Sequence, residues 1–125
     1  AGRTLKKHNS DIKLVAVEPK ASPLLTEGTA GPHKIQGLGA NFVPEVLDQE
    51  LLDEIIAVTN EDAIEVSRKV AAAEGILGGI SAGANIKAAL EIAARPESEG
   101  KNIVVIVPDF GERYVSSILY EDLRD

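Results

Sequence analysis

Three short apolar runs, at 12–17 (IKLVAV), 55–58 (IIAV) and 103–107 (IVVIV), constrain the fold of this chain more than any other feature. Each is nearly continuous rather than alternating and rich in β-branched residues, as expected of strands buried on both faces of a parallel sheet. Parallel strands need crossover connections, and helical periodicity fills part of the intervening sequence. Asn60 is a good N-cap, and Glu61 and Asp62 complement the positive end of a helix dipole. Ala63, Ile64, Val66, Val70 and Ala73 then recur at helical spacing, predicting a helix over 61–74 that ends at Gly75. A second helix is expected from Ile86, Ala89, Leu90 and Ala93, ending near Pro96, and Pro108 closes the third run. Strands alternating with helices make the fold class α/β, a parallel sheet with flanking helices.

The remaining segments are less regular. The opening Gly2-Arg3-Thr4-Leu5-Lys6-Lys7-His8 gathers basic residues with no cap before it and reads as the back of a helix. A start inside a helix leads us to expect a piece of something longer. Residues 19–44 are rich in Pro and Gly and too long for an idle connection, so this loop is expected to be functional or to cover a site. The tail from 111 to 125, with Val115, Ile118, Leu119 and Leu123, is expected to pack as short helical turns. At 125 residues the chain is expected to form one domain, a partial one, and with only 3% aromatic residues Val, Ile, Leu and Ala must fill its core.

Charge and composition exclude several functions. A formal net charge of −7 without a basic tract argues against nucleic-acid and membrane-surface binding, both of which need clustered Lys and Arg. With no Cys there is neither a disulfide framework nor a thiolate metal site, which fits a reducing cytoplasmic setting. The apolar runs fall far short of the ~20 residues that a membrane helix requires, and no signal-peptide core is visible.

Chemistry points to residues 78–85 (GGISAGAN). Glycines at a strand-to-helix junction let the backbone turn tightly and approach a ligand, and the helix beyond presents unpaired N–H groups. Ser81 sits there, as a helix cap or as a ligand contact. The glycine spacing matches neither a dinucleotide fingerprint nor a phosphate loop. His8 and His33 are the only histidines, and nothing in the sequence links either to Ser81 as a base. Residues 37–40 (GLGA) form a second small-residue cluster, read as a turn or as part of a site. His33-Lys34 reads as a solvated cationic pair, and Glu112-Arg113 as a structural ion pair. Pro108-Asp109 lies at the carboxyl end of the third run, where open α/β sheets bind ligands, so it could share a crevice with the 78–83 turn.

Taken together, residues 31–40 (GPHKIQGLGA), 74–84 (EGILGGISAGA) and 111–114 (GERY) resemble the cysteine synthases, or O-acetylserine sulfhydrylases, pyridoxal-phosphate enzymes of fold type II. The resemblance runs over essentially the whole chain. It implies part of the larger C-terminal domain of a tryptophan synthase β-like fold. It also implies a parent that makes cysteine and acetate from O-acetylserine and sulfide by β-replacement on pyridoxal phosphate. In such enzymes the serine matching Ser81 meets the pyridine nitrogen of the cofactor. A neutral hydroxyl there leaves the nitrogen largely unprotonated, which suits β-elimination over transamination. Gly37 matches a loop glycine near the substrate that moves on closure, and Pro108 would line the ring pocket.

The departures are equally specific. None of the eight lysines matches the Schiff-base lysine of the family, so no catalytic residue is assigned in this chain. The asparagine loop for the substrate carboxylate and the glycine- and threonine-rich phosphate cradle are not found either. The resemblance therefore implies the rear part of the enzyme, inactive in isolation. A cystathionine β-synthase-like or O-phosphoserine-using parent is the alternative within the class. The alternative outside it is a binding module for the serine acetyltransferase tail. The resemblance further implies a homodimeric parent, and the uncovered apolar surface of a partial domain predicts self-association beyond it. No metal is expected.

Overall fold

The computed structural model describes residues 1–35, 37–40, 42–111 and 119. Helix α1 spans Gly2–His8, with Lys6, Lys7 and His8 in its last turn and no side-chain cap at Ala1, as its basic end predicts. Strand β1, Val15–Pro19, pairs in parallel with β2, Glu54–Val58, so that Val15 lies opposite Glu54 and Pro19 opposite Val58. Pro19 ends its strand, a position where the missing N–H breaks no ladder. The crossover between the strands holds the one-turn helix α2, Leu24–Glu27, and a 3-10 turn at Gln49–Leu51.

Buried at the end of β1, Glu18 organises the start of this crossover. Its carboxylate accepts the N–H groups of Leu25 and Thr26, at 2.8 and 2.9 Å, and the Thr26 hydroxyl. A buried carboxylate is tolerable only when such donors replace its water.

Helices α3, Asn60–Glu74, and α4, Ile80–Ala93, pack against each other, and α4 packs against the sheet. The predicted glycine stop is present, Gly75 being the left-handed C-cap of α3 with φ 70°. The cap at the other end is Thr59, not Asn60, since the Thr59 hydroxyl accepts from the Asp62 N–H at 3.1 Å. Helix α4 begins six residues before the first periodic apolar position, because Gly83 and Ala84 pack inside the helix pair rather than forming a loop. The core joins Ile56 and Val58 of β2 to Ala63, Ile80, Ala84 and Ala88 of the helices, with Ile35 and Leu119 closing its ends. The Arg68 Nε donates to the Leu119 carbonyl at 2.5 Å, holding that residue on α3. The rest of the expected helical tail, 112–118 and 120–125, lies outside the described residues, as does the Glu112-Arg113 pair.

Residues 103–107, expected as a third strand, pair with no strand among the described residues. A strand is defined by its neighbours, and here a side chain substitutes for one: Asn85 Nδ2 donates to the Ile106 carbonyl at 2.9 Å. Val104 is 88% exposed. Pairing begins just beyond, where Gly79 N–H donates to Asp109 O at 3.3 Å and Gly111 N–H to Leu77 O at 2.8 Å.

Ion pairs cluster at the end where the strands begin. Asp53 accepts from Lys6 Nζ at 2.8 Å and from the Leu14 N–H at 2.7 Å, which hold its carboxyl below the ordinary 3.8. Glu54 meets Arg95 in a two-pronged pair, at 2.7 and 2.6 Å, whose hydrogen bonds hold its carboxyl below 4.5 against the opposing cost of desolvation. A depressed carboxyl stabilises the fold above its unfolded pKa and loses that contribution as pH falls through the folded one. Glu54→Gln is therefore expected to lower the thermal midpoint at pH 7, and the difference from wild type should begin to shrink near pH 4.5 and disappear only as pH falls on through the lowered folded value. Thermal scans at several pH values check this, and a deficit that persists at low pH would refute it.

Candidate functional site at the start of helix α4

The turn into α4 is fixed by contacts that leave little room for side chains. A Cβ at Gly78 would lie 2.7 Å from the Ala82 Cβ. The Ser67 hydroxyl donates to the Gly78 carbonyl at 3.1 Å, and Gly79, in extended conformation, caps the helix with no side-chain bond. Ser81 therefore lies inside the first turn and does not cap it. Its side chain is 2% exposed and its hydroxyl has no hydrogen-bond partner among the described residues. A serine hydroxyl carries both a donor and acceptor sites, so this one can offer either to a ligand.

The 33–39 loop faces this hydroxyl. Gly37, at φ 94°, comes so near that a Cβ there would lie 3.5 Å from Ser81 Oγ. Only glycine adopts this backbone without strain. The loop is tied down by the fully buried Ile35 and by the Lys34 N–H, which donates to Asn60 Oδ1 at 3.1 Å. Asn60 thus serves the loop rather than capping its own helix. Sequence reasoning missed His33, read as a solvated pair with Lys34. Lys34 is exposed, whereas the half-buried His33 ring contacts Ile35 N–H and Gly39 O.

Pro108 is less closely engaged. It lines a cleft of about 500 Å³ with Leu77, Val107, Asp109 and Phe110, and Ser81 is not among that cleft's walls. The two are linked through the backbone, since Asp109, next to Pro108, accepts from the Gly79 cap of the helix carrying Ser81. The structure thus brings Ser81 and Gly37 together directly and Pro108 one layer away. Among the described residues no cluster of three metal-ligating side chains exists, and the groups with shifted pKa values (Asp53, Glu54, Glu65, Lys69 and Arg95) lie elsewhere.

A neutral hydroxyl beneath a glycine loop at a helix start can offer a ligand a hydrogen bond in either direction. Residues 1–109 match the pyridoxal-phosphate dependent enzymes, and the chain belongs to that family. Within it, the chain is 52% identical over 119 residues to a cysteine synthase of Staphylococcus aureus (strain Mu50), a match covering 95% of this chain and 38% of that protein. The solved cysteine synthase of Entamoeba histolytica superposes with a TM-score of 0.94 at 46% identity, over 99% of this chain and 36% of the other. O-acetylserine sulfhydrylase isoform 3 of the same organism gives 0.94 at 47% identity, over 96% and 36%. The chain spans less than two-fifths of the length of these relatives.

Proposed function

We propose that this chain is the C-terminal part of a cysteine synthase, forming cysteine and acetate from O-acetylserine and sulfide in the cytoplasm. The observation that carries this reading is the largely buried Ser81 facing Gly37, in a chain so similar to cysteine synthases over nearly all its length. Pyridoxal phosphate, when bound, supplies the electron sink for elimination at the β-carbon. Ser81 would meet its ring nitrogen with a neutral group, which leaves that nitrogen unprotonated and restrains the sink from the competing transamination. Gly37 would bring main chain close to the substrate, and Pro108 would line the ring pocket. The Schiff-base lysine is supplied from outside these 125 residues, and a homodimer and docking of a serine acetyltransferase tail belong to the same reading.

The test compares the full-length protein with the 125-residue chain alone. The longer protein is expected to bind pyridoxal phosphate, with a visible absorption band that shifts on adding O-acetylserine, and to release cysteine when sulfide follows. The chain alone is expected to do neither. Cysteine formation by the purified chain would overturn this reading, as would a full-length protein without the band.

A further inference from the structure

One imidazole spans the loop that faces Ser81. The Ile35 N–H donates to His33 Nδ1 at 3.2 Å, so that nitrogen carries no proton. The other nitrogen, Nε2, then carries it and donates to the Gly39 carbonyl at 3.0 Å. Between the tied points lies Gly37 at φ 94°, held against Ser81. Gly39, at φ 63°, fits only without a side chain, since a Cβ would lie 2.6 Å from His33 Nε2 and 2.8 Å from Pro19 Cγ. Ile35 is anchored in the core, so the ring couples a fixed point to the Gly39 end of the loop.

We propose that His33 is a positioning residue that clamps the 33–39 loop through both ring nitrogens and so holds Gly37 at Ser81 before substrate arrives. His33 touches neither Ser81 nor, on this reading, the substrate, and acts only through the loop backbone. The proposal rests on the function proposed above for its kinetic consequence, but the clamp itself is a property of the fold. A loop already in its binding geometry spares the substrate the cost of ordering it, so losing the clamp should appear mainly in KM.

The experiment uses the full-length protein loaded with pyridoxal phosphate and reads both limited trypsin cleavage and kinetics. The scissile bond after Lys34 leads into Ile35, whose N–H the ring holds. His33→Ala is expected to speed that cleavage roughly tenfold or more and to raise KM for O-acetylserine by a similar factor, because two hydrogen bonds are lost together. His33→Asn retains an acceptor near the Nδ1 position and His33→Gln a donor near Nε2, so each should restore part of both readouts. Gly39→Ala, which leaves His33 in place but drives the ring aside, should reproduce the His33→Ala result. Cleavage within twofold of wild type in His33→Ala would overturn the clamp. So would Asn and Gln variants no better than Ala. A wild-type protein that makes no cysteine would defeat the functional reading, while the cleavage rates would still decide the clamp.

Discussion

Gly83→Ala is expected to destabilise the protein by about 3 kcal/mol, at the upper end of what overpacking a core usually costs. Helix propensity alone gives the opposite sign, since alanine is favoured over glycine in a helix interior by about 1 kcal/mol. Geometry decides between them. A Cβ on Gly83 would lie 2.0 Å from the Ala63 carbonyl oxygen and 2.9 Å from the Ser67 Cβ. The oxygen belongs to the backbone of α3 and cannot rotate away, so the two helices would have to part. Parting them disturbs the Ser67 bond to Gly78 and with it the turn that presents Ser81. Gly100→Ala is the control, because Gly100 has φ 75° and open space around it. Its cost is conformational only, about 1–2 kcal/mol. Urea denaturation of the two variants checks the difference, and a Gly83→Ala protein as stable as wild type would show that the helices are not packed this closely.

The same glycine shows where sequence reading reaches its limit. Residues 78–85 were legible as a junction because glycine and serine cluster there, but the spacing could not distinguish a turn from a helix contact. Gly78 serves the turn and Gly83 the helix pair, and only the position of Ala63 separates the two uses. Gly75 was legible because a C-cap is local, set by the residue's own left-handed backbone. Thr59 displaced Asn60 as the cap because Asn60 is claimed by Lys34, 26 residues away in the chain. His33 escaped notice for a related reason, its partners being backbone groups that a residue pattern does not reveal. The 103–107 run has every local mark of a strand, yet a ladder depends on a neighbour, and the described residues provide Asn85 instead.

Replacing Ser81 should separate the electronic part of the proposed site from its packing. In the full-length protein, Ser81→Ala removes one neutral hydrogen bond, worth about 1 kcal/mol, and should slow cysteine formation severalfold. Ser81→Asp places a carboxylate where the hydroxyl was. A carboxylate facing the ring nitrogen would keep it protonated, and the rate of β-replacement is expected to fall by about 100-fold or more. The aspartate also makes stability depend on the cofactor. At a position only 2% exposed, an unpaired carboxylate is costly to bury, whereas a protonated ring nitrogen gives it a partner. Ser81→Asp should therefore be less stable than wild type without pyridoxal phosphate and recover much of the difference with it, while Ser81→Thr, which keeps a hydroxyl, should remain nearer wild type in rate than either. Steady-state rates, the visible cofactor band and denaturation with and without cofactor read these effects together. Equal rates for serine, alanine and aspartate would mean that residue 81 does not meet the ring, and the site would have to be sought at the Pro108 cleft instead.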